Sequence, residues 1–156
     1  MNRMGKVLLI FIFSLLISEP AFSQCTVNTS SISFGDYDVF SSTPLDSAGT
    51  VSVNCTKDVV KANVTLSASP TSGIFNPRRM KRSGGSDLLD YNIFLDVSRA
   101  VIFGNGTGGT SIIDLKRPTG KPAPWFQNIN IYGRIFPGQN VSVGSYSDIL
   151  TVTVNW

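Results

Sequence analysis

Leu150-Thr151-Val152-Thr153-Val154-Asn155-Trp156 is the stretch that decides the class of fold. Leu150, Val152, Val154 and Trp156 fall on one face and Thr151, Thr153 and Asn155 on the other, the period-two alternation of a strand with one face buried and one wet. Working outward, the same period recurs. Val51, Val53 and Cys55 alternate with Ser52 and Asn54, and Ala62, Val64, Leu66 and Ala68 alternate with Asn63, Thr65 and Ser67. Leu89, Tyr91, Ile93 and Leu95 make a fourth face, and Ile129, Ile131 and Ile135 a fifth with Gly133 between. No segment beyond the first two dozen residues carries a sustained 3.6-residue apolar stripe. Turn chemistry separates the strands at 70–73, 83–86, 104–109, 118–124 and 137–144, so the chain reads as all-β, a sandwich or barrel.

The opening residues belong to a different kind of segment. Arg3 and Lys6 precede an apolar run from Val7 to Ile17, and Ala21-Phe22-Ser23 supplies small residues for a peptidase. This is the pattern of a secretory signal peptide, with cleavage predicted between Ser23 and Gln24. The run is well short of the roughly 20 apolar residues that span a bilayer, and no membrane insertion is expected. Residues 24–156 then form one domain of ordinary size. Export places Cys25 and Cys55 where thiols oxidise, which predicts one disulfide closing a loop of about 30 residues, a constraint of roughly 3 to 4 kcal/mol.

Composition argues against catalysis. The chain has no His, and its single Glu, Glu19, lies in the leader, so the common general base is missing and carboxylate chemistry falls to scattered Asp. A serine hydrolase with a His base is excluded, and no catalytic, metal or cofactor site is predicted. Asp36 and Asp38 lack the further acidic ligands of a calcium loop. Gly104-Asn105-Gly106-Thr107-Gly108-Gly109 has the letters of a dinucleotide fingerprint, but a strand-like segment follows it where a helix is required, and a hairpin turn is the better reading. A formal net charge of +3 is too small to point to nucleic acid. Two sets of residues are candidates for surface binding. Arg78, Arg79, Lys81 and Arg82 cluster around Met80, as contacts for an anionic glycan or a partner or as a solvated edge strand, which is the favoured reading. Trp125 and Phe126 could form an adhesive tip, though such a pair more often plugs the end of a sandwich.

Several segments taken together resemble one family. Cys25-Thr26-Val27, Phe34-Gly35-Asp36-Tyr37 and Gly49-Thr50-Val51-Ser52-Val53-Asn54-Cys55-Thr56 are similar to the opening of the spore coat protein U family, which includes subunits of archaic chaperone-usher pili. Arg79-Met80, Leu89 with Tyr91-Asn92, Asp96, Gly104-Asn105-Gly106-Thr107, Tyr132-Gly133-Arg134-Ile135, Pro137-Gly138-Gln139 and Gly144-Ser145-Tyr146-Ser147-Asp148 follow in the family's order. The resemblance implies an immunoglobulin-like sandwich lacking its last strand. Its apolar groove would be bordered by Leu150, Val152, Val154 and Trp156. It also implies partners: a periplasmic chaperone that lends a strand, an outer-membrane usher, and neighbouring pilus subunits whose N-terminal extension replaces the chaperone's strand at the cell surface. A donor strand needs roughly 10 residues, and cleavage after Ser23 would leave only Gln24 before Cys25. A tip or terminal subunit is therefore expected, with a self-complemented domain, a coat component or a free-standing secreted binding module as the alternatives.

Overall fold

Val and Ile at alternate positions are stiff at χ1 and pack well on a pleated surface, and they set the strands of this chain. In the computed structural model, which describes residues 24–120 and 124–156, nine strands form. They are β1 (Cys25–Thr29), β2 (Leu45–Cys55), β3 (Lys61–Leu66), β4 (Arg78–Arg82), β5 (Leu88–Phe94), β6 (Ile113–Lys116), β7 (Trp125–Ile135), β8 (Tyr146–Ser147) and β9 (Val152–Asn155). No helix occurs among the described residues. The predicted signal peptide, residues 1–23, and Lys121-Pro122-Ala123 of the proline-rich connection lie outside them.

The strands make two unequal sheets. One has six strands in the order β1-β2-β7-β5-β4-β8, the other three in the order β6-β3-β9. Every paired ladder is antiparallel, and the spine is the β2–β7 pair, in register from Leu45 opposite Ile135 to Cys55 opposite Trp125. Val51, Val53, Val64, Leu89 and Ile131 are among the inward side chains that fill the space between the sheets. Burial of this kind contributes roughly 1.5 to 3 kcal/mol per large apolar side chain.

Cys25 and Cys55 are direct partners across β1 and β2 and are joined as a disulfide. Trp125 continues that row across the sheet. Its ring is buried and Nε1–H donates to the Val59 carbonyl at 2.8 Å. Trp125 is thus part of the core, which corrects its place among the candidate surface residues; Phe126, one step along β7, points outward and is exposed.

Three further expectations need adjustment. The last strand is shorter than the alternation suggested: the ladder with β3 runs from Val152 to Asn155, and Trp156 lies beyond it, half exposed. The glycine-rich stretch 104–109 is a turn, but not of a simple hairpin. Phe103 makes a parallel bridge to Ser111, while β6 takes β3 as its partner. The cationic run 78–82 reads as solvated, yet Arg78 is fully buried. The cause is a shift in which face of β4 points inward: Met80 and Arg78 share a face, and Met80 belongs to the core.

Candidate functional site

After β1 the chain leaves the sheet edge and crosses the inner side of the sandwich. Ser30 still belongs to the ladder, its N–H donating to the Thr50 carbonyl at 3.0 Å while its Oγ accepts from the Thr50 N–H at 2.7 Å. Beyond it the chain passes over two glycines. A Cβ on Gly49 would stand 2.8 Å from Ile32 Cγ1, and one on Gly133 would stand 2.6 Å from Phe34 Cζ. Only a missing side chain allows this close approach. Phe34 then meets Tyr91 edge to face, with ring centroids 6.3 Å apart. The Tyr37 hydroxyl accepts from the Gln139 N–H at 2.8 Å and donates to the Phe136 carbonyl at 3.1 Å. Gln139 is held in turn by Asp90, through its backbone N–H at 2.6 Å and its carbonyl at 2.8 Å.

The segment from Thr29 to Val39 becomes one wall of a groove of about 930 Å³, and the segment from Val141 to Val152 becomes the other. Its floor is apolar, with Leu66, Met80, Leu89, Ile93, Ile131 and Ile135. The second wall is fastened below the groove. Tyr146 and Ser147 pair with β4, the Ser67 N–H donates to the Thr151 carbonyl at 2.9 Å, and the Thr151 N–H donates to Ser67 Oγ at 3.0 Å.

Neither wall completes a ladder across the gap. Among the described residues, no backbone-to-backbone hydrogen bond involves residues 31–37 or 148–150, and β9 is the end of its sheet, with its edge away from β3 unpaired. Val143 and Ile149 line the groove while being 97% and 82% exposed. Unpaired N–H and C=O groups flanking an apolar trough are a template for another strand and a liability if left uncovered.

One polar pair sits on the apolar floor. The Tyr91 hydroxyl donates to Asp148 Oδ2 at 2.7 Å. Burial, and then the hydrogen bond to Asp148, push the phenol well above its ordinary range and keep it protonated. Behind Tyr91 lies Arg78, across the β4–β5 ladder. Its Nη2 donates to the Ser67 and Phe103 carbonyls, both at 2.8 Å, Nε to the Ser67 carbonyl at 3.2 Å, and Nη1 to Asn92 Oδ1 at 2.7 Å. Burial lowers its pKa to about 10, so the cation survives at neutral pH without a carboxylate in contact.

The residues expected from sequence divide accordingly. Leu150 and Val152 line the groove; Val154 is half-buried against the core but outside the groove lining, and Trp156 is beyond the strand. Arg79 pairs with Asp90 at 2.9 Å and Arg82 with Asp87 at 2.7 Å, while Lys81 is exposed. With Arg78 buried, the four cations do not form one patch. The wall at 29–39 and the Tyr91–Asp148 pair were not foreseen; the alternation of Ile32 and Phe34 with Ser31 and Ser33 was the available signal for the first. No grouping of three or more His, Cys, Asp or Glu side chains that could hold a metal occurs among the described residues.

Fold and site together define a two-sheet β-domain with an open apolar groove flanked by an edge strand. The family model described as the Spore Coat Protein U domain matches residues 12–153. Protein U of Myxococcus xanthus is 33% identical over 135 residues, which cover 80% of this chain and 71% of that protein. The chain belongs to the Spore Coat Protein U domain family. Among solved structures, it is similar in fold to a chain of the CsuC–CsuE chaperone–tip adhesion subunit pre-assembly complex from the archaic chaperone-usher Csu pili of Acinetobacter baumannii. The TM-score is 0.59 at 20% identity, with 86% of this chain and 40% of that one covered.

Proposed function

We propose that this chain is a structural subunit of a surface pilus assembled by a periplasmic chaperone and an outer-membrane usher, and that its groove accepts a strand from the chaperone first and from a neighbouring subunit afterwards. The observation that carries the reading is the apolar groove in whose walls, among the described residues, 31–37 and 148–150 make no backbone-to-backbone hydrogen bond. An added strand would supply those bonds and cover the floor in one step, which is the physics of β-strand addition. The family and the fold of the Csu complex chain support the same assignment.

The test is urea unfolding of the oxidised mature chain, alone and with a candidate periplasmic chaperone. The expected result is aggregation or a broad, non-cooperative transition alone and a soluble one-to-one complex with the chaperone. A stable monomer with one cooperative transition would overturn the proposal. A terminal position in the fibre follows if cleavage falls between Ser23 and Gln24, and N-terminal sequencing of the exported chain tests it. The identity with Protein U favours a second reading, an envelope coat component built on the same groove. Electron microscopy of surface fibres labelled on this chain separates the two.

A further inference from the structure

Of the residues that line the groove, two are acidic, Asp36 in the first wall and Asp148 in the second; no Lys or Arg is among them. Asp36 is exposed at the rim. Asp148 is half-buried, and its carboxylate reaches the floor, because Tyr91 is a floor residue and its hydroxyl touches Oδ2. The other oxygen, Oδ1, accepts from the Ile149 N–H at 3.0 Å. A carboxylate offers about four acceptor sites, and with these two bonds about half of this one's capacity is used. Arg78 is near enough for its charge to act on Asp148 but does not fill the remaining capacity, since its hydrogen bonds are to the Ser67 and Phe103 carbonyls and to Asn92.

We infer that the groove takes an extended segment of another polypeptide that carries a Lys or Arg where it passes Asp148, with apolar side chains two positions before and after. This rests on the strand-acceptor reading above and adds the chemistry of the partner. Seating a strand removes water from Asp148, and a carboxylate left desolvated and half-satisfied disfavours the complex unless a cation meets it. The apolar flanks follow from the floor. Leu89 and Ile93 stand two positions either side of Tyr91 on β5 and present the same face. A purely apolar groove would let a strand slip by two residues and keep its pattern, whereas a single buried ion pair fixes one register and rejects an acidic competitor.

The test uses the mature chain refolded from urea with labelled ten-residue peptides of alternating Val and Thr, whose central inward position is Lys, Thr or Glu. The expected order of affinity is Lys, then Thr, then Glu, with roughly 10-fold or more between Lys and Thr. The preference for Lys should shrink toward 1 M salt, where the screening length falls to about 3 Å, and disappear in Asp148→Asn. Equal binding of the three peptides would overturn the inference and leave strand acceptance standing; binding of none would overturn both. If Asp148→Asn does not fold, the salt series on the unaltered chain decides, and a Lys preference unchanged by salt contradicts the ion pair.

Discussion

Replacing Arg78 by Met should destabilise the domain although it removes a buried cation. Two effects oppose one another. The environment lowers the pKa of Arg78 from 12.5 to about 10, a cost to the charge on the order of 3 kcal/mol, which Met would relieve. Against this stand four hydrogen bonds from the guanidinium to three acceptors, each of roughly 1.5 to 3 kcal/mol because the donor is charged. Met would leave the Phe103 and Ser67 carbonyls without these partners. The second effect wins, and the expected net loss is at least about 3 kcal/mol. Arg78→Lys keeps the charge but not the planar fork that reaches both carbonyls and Asn92, and should lose about 1 to 3 kcal/mol. Urea unfolding of the groove-filled form, followed by the emission of buried Trp125, measures both. With a slope of about 1 to 3 kcal/mol per molar urea, Arg78→Met should lower the midpoint by at least roughly 1 M. An unchanged or raised midpoint would refute the reasoning, since it would mean that desolvation outweighs the hydrogen bonds.

Other consequences follow from the same contacts. Replacing Cys25 and Cys55 together by Ala removes a link between residues 30 apart and should cost about 3 to 4 kcal/mol, read as a lowered urea midpoint that reductant no longer affects. Gly133→Ala places a methyl where Phe34 and Ile32 already stand; overpacking of about 1 to 3 kcal/mol is expected, together with displacement of the first groove wall. Asp96 accepts from Ser98 Oγ and from the Val101 and Ala100 N–H groups, which together lower its pKa from 3.8 to about 2. The folded carboxyl binds its proton less readily than the unfolded one, so its contribution is present above about pH 4 and is lost as pH falls from there toward 2. Asp96→Asn should flatten the fall of the unfolding midpoint across that window, and an unchanged pH profile would contradict the assignment.

Much of the sandwich was legible because apolar side chains on paired strands repeat every second residue. The β2, β3, β5 and β7 strands each carry that pattern over several residues, and the disulfide was legible from the predicted signal peptide and two cysteines. The limits of β9 were less legible. Leu150 and Trp156 continue the alternation, but a ladder requires a partner as well as a pattern, and β3 meets this strand only from Leu66 to Asn63. Arg78 misled for a related reason. A cationic run reads as solvated, yet Arg78 lies inward on the same face as Met80, where backbone carbonyls take the place of water. The first groove wall carried only a short signal, Ile32 and Phe34, since a segment awaiting a partner has no ladder to regularise it. The Tyr91–Asp148 pair joins residues far apart in the chain, and no local spacing announces it.

Amide hydrogen exchange across residues 31–37 and 148–150, measured on the chain alone and in the presence of a candidate periplasmic chaperone, tests the proposed strand acceptance most directly. The account predicts fast exchange at both walls in the free chain and strong protection of both at once in the complex, while the β2–β7 spine stays protected throughout. Protection of both walls in the free chain, or a complex that forms while leaving them unprotected, would contradict it.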